Sequence, residues 1–210
     1  MERYSRQRDI IPAEDIAKCF ATVIGVGAIG RQVALQLTAI GIPKLQLIDF
    51  DTVEESNIAS QGYREKDLGS LKVEATGEHC KEINSSLELN LIPERFKRNM
   101  DVGNCVFCCV DSIETRKFIW DSIEVPFFVD GRMSAETMEI ITAKNGDKRY
   151  EETLFSAEEA YQGSCTAKTT IYCANAAAAL MLSSFTKHLR VFPSDRHISF
   201  NLLTTELTVV

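Results

Sequence analysis

Three features of the sequence predict an α/β fold, a doubly wound, mostly parallel sheet with C-terminal antiparallel strands. Short apolar runs alternate with stretches of helical periodicity from Phe20 onward. The first run, Thr22-Val23-Ile24-Gly25, passes through Gly25-x-Gly27-x-x-Gly30 directly into a helix. The second, Leu45-Gln46-Leu47-Ile48-Asp49, ends in the carboxylates of Asp49-Phe50-Asp51. Strand, glycine turn and helix in that order make a Rossmann-like unit. Its glycines let backbone approach a phosphate, and its helix N-terminus offers N–H donors and a partial positive charge. An acid at the tip of the next strand suits ribose hydroxyls. Gly25, Gly27, Gly30 and Asp49 are therefore candidate nucleotide-binding residues.

The remaining elements follow in chain order. Arg3-Tyr4-Ser5-Arg6-Gln7-Arg8 carries three arginines in six residues. It is either a solvated arm or an anion-binding segment, since guanidinium groups match phosphates bidentately. Pro12 to Ile16 starts a short helix, with acids in its first turn. Phe20 to Gly25 is the first strand. Ala28 to Ile40 is a helix whose Ile29, Val33, Leu37 and Ile40 face the sheet, and Gly41 ends it. Leu45 to Asp49 is a buried parallel strand. Residues 51–63 read as a polar connection at the end of the sheet where ligand crevices form. Leu71 to Ile83 is a helix with Lys72 in its first turn. The helix dipole disfavours a cation there, so Lys72 is either solvated or paired with an anion.

Leu87 to Ile92 and Cys105 to Asp111 are further strands, the latter again ending in an acid. Ser112 caps a helix running to Ser122, and Pro126 to Arg132 is a strand and turn. Met138 to Ala143 is antiparallel, because no helix-length crossover precedes it. Residues 144–163 are polar and lack periodicity, a length that suits a crossing loop or lid. Thr166 to Lys187 reads as a long helix, rich in alanine at 176–179, and His197 to Val210 alternates as strands do.

The bulk composition bounds the class of protein. A single domain over 1–210 is expected from 210 residues with 45% hydrophobic and 25% charged side chains. A net charge of −7 argues against a nucleic-acid surface. No apolar run reaches the roughly 20 residues of a membrane span, and the opening Met-Glu-Arg-Tyr does not read as a signal peptide. Seven cysteines without a framework pattern suggest reduced thiols and a cytoplasmic location. Cys105-x-x-Cys108 resembles a zinc pair, but on a strand positions three apart point to opposite faces.

No Walker-type P-loop occurs, and a lone Gly-x-Gly-x-x-Gly would serve a dehydrogenase equally well. What discriminates is the surrounding apparatus: N-terminal arginines, Asp49-Phe50-Asp51, Asn57, Gln61, Lys72 and Asp111. That set suits chemistry on a triphosphate. Together with Ser56-Asn57, Gly69-Ser70-Leu71-Lys72-Val73-Glu74 and Cys109-Val110-Asp111, in this order, the chain resembles the adenylation domain of the ThiF/MoeB/HesA family, whose fold is shared with ubiquitin-activating enzymes.

The resemblance implies a homodimer that uses ATP and Mg²⁺ to adenylate the C-terminal carboxylate of a ubiquitin-like or sulfur-carrier protein ending in glycine. A conjugating enzyme is a further partner if the pathway is protein conjugation. By the family pattern Asp49 holds the ribose, Asn57 and Lys72 the phosphates, and Asp111 the Mg²⁺. Asp51 and Gln61 line the same pocket, and Arg6 reaches the phosphates of the neighbouring protomer as an arginine finger does.

Departures from the pattern matter. The family's phosphate-contacting arginine is Ser60 here, with Arg64 as a substitute four residues on. The family's zinc-binding cysteine pairs are missing, so no zinc is expected. Cys165 stands where some members carry the cysteine that accepts the acyl group, and equally reads as a buried filler. Three alternatives stay open: an adenylating enzyme acting on tRNA, an inactive nucleotide-binding partner subunit, and an NAD-dependent oxidoreductase.

Overall fold

The computed structural model describes residues 3–154, 169–193 and 195–210. Eight strands form one sheet: β1 (Phe20–Ile24), β2 (Lys44–Ile48), β3 (Glu88–Ile92), β4 (Cys105–Cys108), β5 (Phe127–Ser134), β6 (Thr137–Ala143), β7 (His197–Asn201) and β8 (Glu206–Val209). Their order is β3-β2-β1-β4-β5-β6-β7-β8. Pairing is parallel from β3 to β5 and antiparallel from β5 to β8. The order reverses between β1 and β4, which sets a ligand crevice at the carboxyl ends of those strands.

Seven α-helices are described: α1 (Ala13–Ile16), α2 (Ala28–Ile40), α3 (Glu55–Gln61), α4 (Lys72–Ile83), α5 (Ile113–Trp120), α6 (Lys148–Glu152) and α7 (Ile171–Leu189). The sheet is wound on both faces. One carries α2, α4 and α7 over a core that includes Val33, Leu37, Val73, Phe107, Ala177, Ala178 and Phe185. The other carries α5 and α6 over Ile24, Val106, Ile119, Trp120, Phe128 and Tyr150. Trp120, Phe128 and Tyr150 form a ring cluster with centroids 4.7–5.2 Å apart. Each such fully buried side chain contributes on the order of 2–3 kcal/mol through removal of apolar surface from water.

The sheet explains the cysteine pair: Cys105 lies in the first core and Cys108 in the second, on opposite faces. It also permits the alanine run, for α7 lies so close to β5 that a Cβ at Gly131 would come within 2.5 Å of the Met181 sulfur.

Several elements differ from expectation. Residues 51–63 contain α3, opened at its N-terminus by the Glu54 N–H, which donates to Asn57 Oδ1; its polar, short sequence gives no apolar period to read. The described part of the 144–163 connection, residues 144–154, contains α6, started by Asp147, whose side chain accepts from the Arg149 N–H; residues 155–163 lie outside the described residues. The last helix begins at Ile171, where the Thr170 hydroxyl accepts from the Cys173 N–H and caps it; residues 166–168 of the expected helix lie outside the described residues. β4 stops at Cys108, where its pairing with β1 ends. β5 instead runs on to Ser134, pairing there only with β6.

Candidate nucleotide-binding site

The three glycines of the first turn have different reasons to be glycine. Gly25 has φ +86°, and a Cβ there would lie 2.8 Å from the Cys109 carbonyl oxygen. A Cβ at Gly30 would lie 1.8 Å from the Gly25 carbonyl oxygen. Both are demanded by the protein's own backbone. Gly27 is not: the nearest atom to its virtual Cβ is the Gln61 Oε1, 4.0 Å away. That open space at the N-terminus of α2 fits a group brought from outside. Gln61 Oε1 is buried and without a hydrogen-bond partner among the described residues, so an acceptor is available to line the same space.

Asp49 organises this turn. Its Oδ2 accepts from the Val26 N–H at 2.6 Å and its Oδ1 from the Asp51 N–H at 2.8 Å. Burial raises its pKa, opposed by those two backbone donors and by Lys72. The Val26 carbonyl accepts in turn from the Tyr63 hydroxyl at 2.7 Å, and that hydroxyl meets Thr76 Oγ1 at 3.2 Å. Burial raises the Tyr63 pKa, so the phenol stays protonated and able to donate.

Of the two readings for Lys72, the structure takes pairing. Lys72 is 6% exposed, and its Nζ donates to Asp51 Oδ2 at 3.0 Å. The Lys72 N–H also donates to the Asp51 carbonyl at 2.9 Å. A buried cation in the first turn of α4 is thereby held at the tip of β2. Asn57 is buried; its Oδ1 accepts from the Glu54 N–H at 3.0 Å and its Nδ2 donates to Ser56 Oγ at 3.3 Å. Ser60 Oγ donates to its own helix, at the Ser56 carbonyl.

Arg64 is engaged by carboxylates. Its guanidinium pairs with Asp67 at 3.1 Å and with Glu78 and Glu82 at 3.0 Å each. Asp111 is exposed just beyond β4. Among the described residues no three acidic, histidine or cysteine side chains converge on a metal position. A single exposed carboxylate fits Mg²⁺ only together with phosphate oxygens, since that ion commonly takes one or two carboxylates and completes its shell from the nucleotide and water.

Arg6 lies far from this site in its own chain. Gln7 Nε2 donates to the Ile40 carbonyl at 2.7 Å, and a Cβ at Gly41 would lie 2.9 Å from the Tyr4 ring. The arginine segment thus sits at the C-terminal end of α2, about 20 Å along its thirteen residues from the glycine turn. Cys165 lies outside the described residues.

Gly25, Gly27, Gly30, Asp49, Asp51, Asn57, Gln61, Lys72 and Asp111 therefore share the carboxyl edge of the parallel strands. Arg64 is held by Asp67, Glu78 and Glu82, and Arg6 lies at the opposite end of α2. Sequence reasoning missed two charged features. One is Arg31 in α2, 2% exposed, which lies over the Tyr63 ring with its guanidinium carbon 4.7 Å from the centroid. The other is Asp130, fully buried on β5 and paired with both Arg116 and Arg132. Tyr150 OH donates to the same carboxylate at 3.1 Å. Arg116 also donates to the Gly131 carbonyl at 3.3 Å and to the Val110 carbonyl, tying the end of β4 to β5 next to Asp111. Acid and base two apart on an otherwise apolar strand was the available signal.

Comparison with known proteins follows the same outline. Over 136 residues the chain is 34% identical to the adenylyltransferase and sulfurtransferase MOCS3 of Dictyostelium discoideum, covering 58% of this chain and 31% of that protein. It is 31% identical over 110 residues to the Nedd8-activating enzyme E1 catalytic subunit of Drosophila melanogaster, covering 49% of this chain and 24% of that one. The chain thus spans less than a third of the length of these relatives. Among solved structures, E. coli MccB with AMPCPP and MccA superposes with a TM-score of 0.79 at 16% identity, over 100% of this chain and 71% of that one. PaaA superposes at 0.76 and 19% identity, over 100% of this chain and 82% of that one. Identities this low show a shared fold alone. The ThiF family model matches residues 4–206, nearly the whole chain, and the protein belongs to that family.

Proposed function

We propose that the protein adenylates the C-terminal carboxylate of a ubiquitin-like or sulfur-carrier protein ending in glycine, with ATP as the adenylyl donor. The observation that carries this reading is the open space at Gly27, flanked at one sheet edge by Asp49, the Lys72–Asp51 pair and Asp111, in a chain of the ThiF family. Relatives named for adenylyl transfer and for Nedd8 activation, and an MccB structure with ATP, support the same direction.

The chemistry asks little of a general base, because a carboxylate is already ionised near neutrality. One carboxylate oxygen attacks the α-phosphorus, the bond from that phosphorus to the bridging oxygen breaks, and pyrophosphate leaves. Catalysis is then alignment and charge neutralisation. Asp49 fixes the turn that receives the phosphates and leaves oxygen lone pairs for a ribose. Lys72 supplies a buried positive charge, Gln61 and Asn57 polar lining, and Asp111 a ligand for the Mg²⁺ that would neutralise phosphate oxygens. Arg6 serves the site of a second copy, since in its own chain α2 holds it away. Cys165 is the proposed acceptor of the acyl group: its sulfur attacks the adenylate carbonyl and AMP departs.

ATP–pyrophosphate exchange is the test. Exchange that requires a glycine-terminated ubiquitin-like protein is expected. Exchange driven by tRNA, or none with any acceptor, would overturn the reading. The absence of exchange would favour an inactive nucleotide-binding subunit, a reading that Ser60 and the carboxylate-bound Arg64 support. Cys165→Ala is expected to keep exchange and lose any thiol-sensitive adduct with the carrier protein, read on gels with and without reductant.

A further inference from the structure

The two buried arginines near the crevice differ in what they face. Arg116 is 4% exposed and has a carboxylate, that of Asp130. Arg31 is 2% exposed and, among the described residues, forms no ion pair. Its NH2 meets His79 Nδ1 at 3.0 Å, its guanidinium lies over the Tyr63 ring, and its Nε has no hydrogen-bond partner. Burial lowers the pKa of His79, followed by the charges of Arg31 and Arg64, which leaves the imidazole neutral. Arg31 thus keeps a positive charge out of water in no ion pair; the buried Asp67 carboxylate attracts it from beyond pairing distance, is itself paired with Arg64, and the Arg64 charge opposes that attraction. Such a charge is costly unless something offsets it.

Its position supplies the candidate. Arg31 follows Gly30 in the first turn of α2, and helix side chains lean toward the N-terminus. The Tyr63 ring beneath the guanidinium donates its hydroxyl to the Val26 carbonyl, inside the glycine turn itself. The opening at Gly27 begins at the same helix end. Nothing about the glycine pattern asks for arginine at this place.

Building on the ATP reading, we propose that Arg31 is a positioning residue for the nucleotide: a buried counter-charge whose field favours the triphosphate at the N-terminus of α2. It compensates, from behind the turn, for the cation that Ser60 does not provide. The ligand class is a polyanionic nucleotide, and the contribution grows with the number of phosphate charges.

The experiment measures dissociation constants of ATP, AMP and adenosine by calorimetry for the whole protein, with Arg31→Met and Arg31→Lys beside it. In Arg31→Met the ATP constant is expected to rise about tenfold, that of AMP about threefold and that of adenosine not at all, because Coulomb energy scales with ligand charge. Arg31→Lys keeps the charge and should hold the ATP-to-AMP ratio near that of the parent. The melting temperature of nucleotide-free Arg31→Met should be no lower than the parent's, since a buried charge held in no ion pair has been removed. Equal losses for all three ligands, no loss for any, or an Arg31→Met chain that fails to fold would each overturn the proposal. A parent protein that binds no ATP would instead sink the functional reading on which it rests.

Discussion

Asp49 and Gly27 show how differently neighbouring residues serve one crevice. Asp49 spends both oxygens on backbone donors, so its carboxylate holds the turn in shape before any ligand arrives. Gly27 holds nothing; it keeps space clear. Their substitutions should separate accordingly. Gly27→Ala is expected to fold with a melting temperature within a few degrees of the parent's and to lose most nucleotide affinity, measured by calorimetry. Gly25→Ala, strained at positive φ and driven against Cys109, is expected to lose about 1–3 kcal/mol of stability by urea denaturation.

His79 gives a pH dependence of known sign. Its folded pKa lies below the ordinary 6.5, chiefly through burial and then through Arg31 and Arg64. The unfolded chain therefore binds more protons, and stability falls as pH drops below 6.5. His79→Gln should flatten that fall in denaturation curves taken across the same range. The remaining slope is assigned in part to His188, also held low by burial and by Lys144.

At the scale of elements, α2 is the rod that fixes distances. Its N-terminus opens on the glycine turn and its C-terminus, at Ile40 and Gly41, seats Tyr4 and Gln7. An arginine anchored there cannot also reach the turn at the other end. If Arg6 completes a second copy's site, then two dead variants should rescue one another. Arg6→Ala and Lys72→Ala are each expected to be inactive, and a mixture should recover about a quarter of parental exchange activity, the statistical yield of one complete site per mixed dimer. No recovery on mixing would rule out a role for Arg6 in the second copy's site.

The elements also show what a sequence discloses. Ala28–Ile40 was readable to the residue because Ile29, Val33 and Leu37 repeat at helical spacing and Gly41 takes φ +99°. The opposite placement of Cys105 and Cys108 follows from strand geometry alone. α3 and α6 were illegible for a common reason: each is short, polar and started by side-chain caps rather than by an apolar stripe. Lys72 was legible as a question only. The dipole argument said that a cation there needs a reason, and Asp51, twenty-one residues earlier, supplied it through tertiary contact. Arg31 left no trace, because its phase on α2 looks solvent-facing until α4 and the turn at Tyr63 cover it.

Across the whole molecule the sheet is two halves joined at β5. Parallel strands carry the glycine turn and the acids at their carboxyl ends, while the antiparallel strands extend the sheet away from them. The join is where apolar packing gives way to charge. Asp130 sits there wholly out of solvent, with Arg116 from α5 on one side and Arg132 from its own strand on the other. Arg132 reaches on to the Thr153 carbonyl and hydroxyl at 3.0 and 2.9 Å.

That arrangement makes the join a lock with a single key. Two guanidinium groups stay together in a dry interior only while one shared anion separates them. Neutralising Asp130 would leave like charges pressed face to face, where repulsion is poorly screened and both halves have cause to part. Removing an arginine together with the aspartate is the milder operation, because one lone cation is then left rather than two pressed together. The seam tolerates losing a matched pair far better than losing the one negative tooth that keeps it shut.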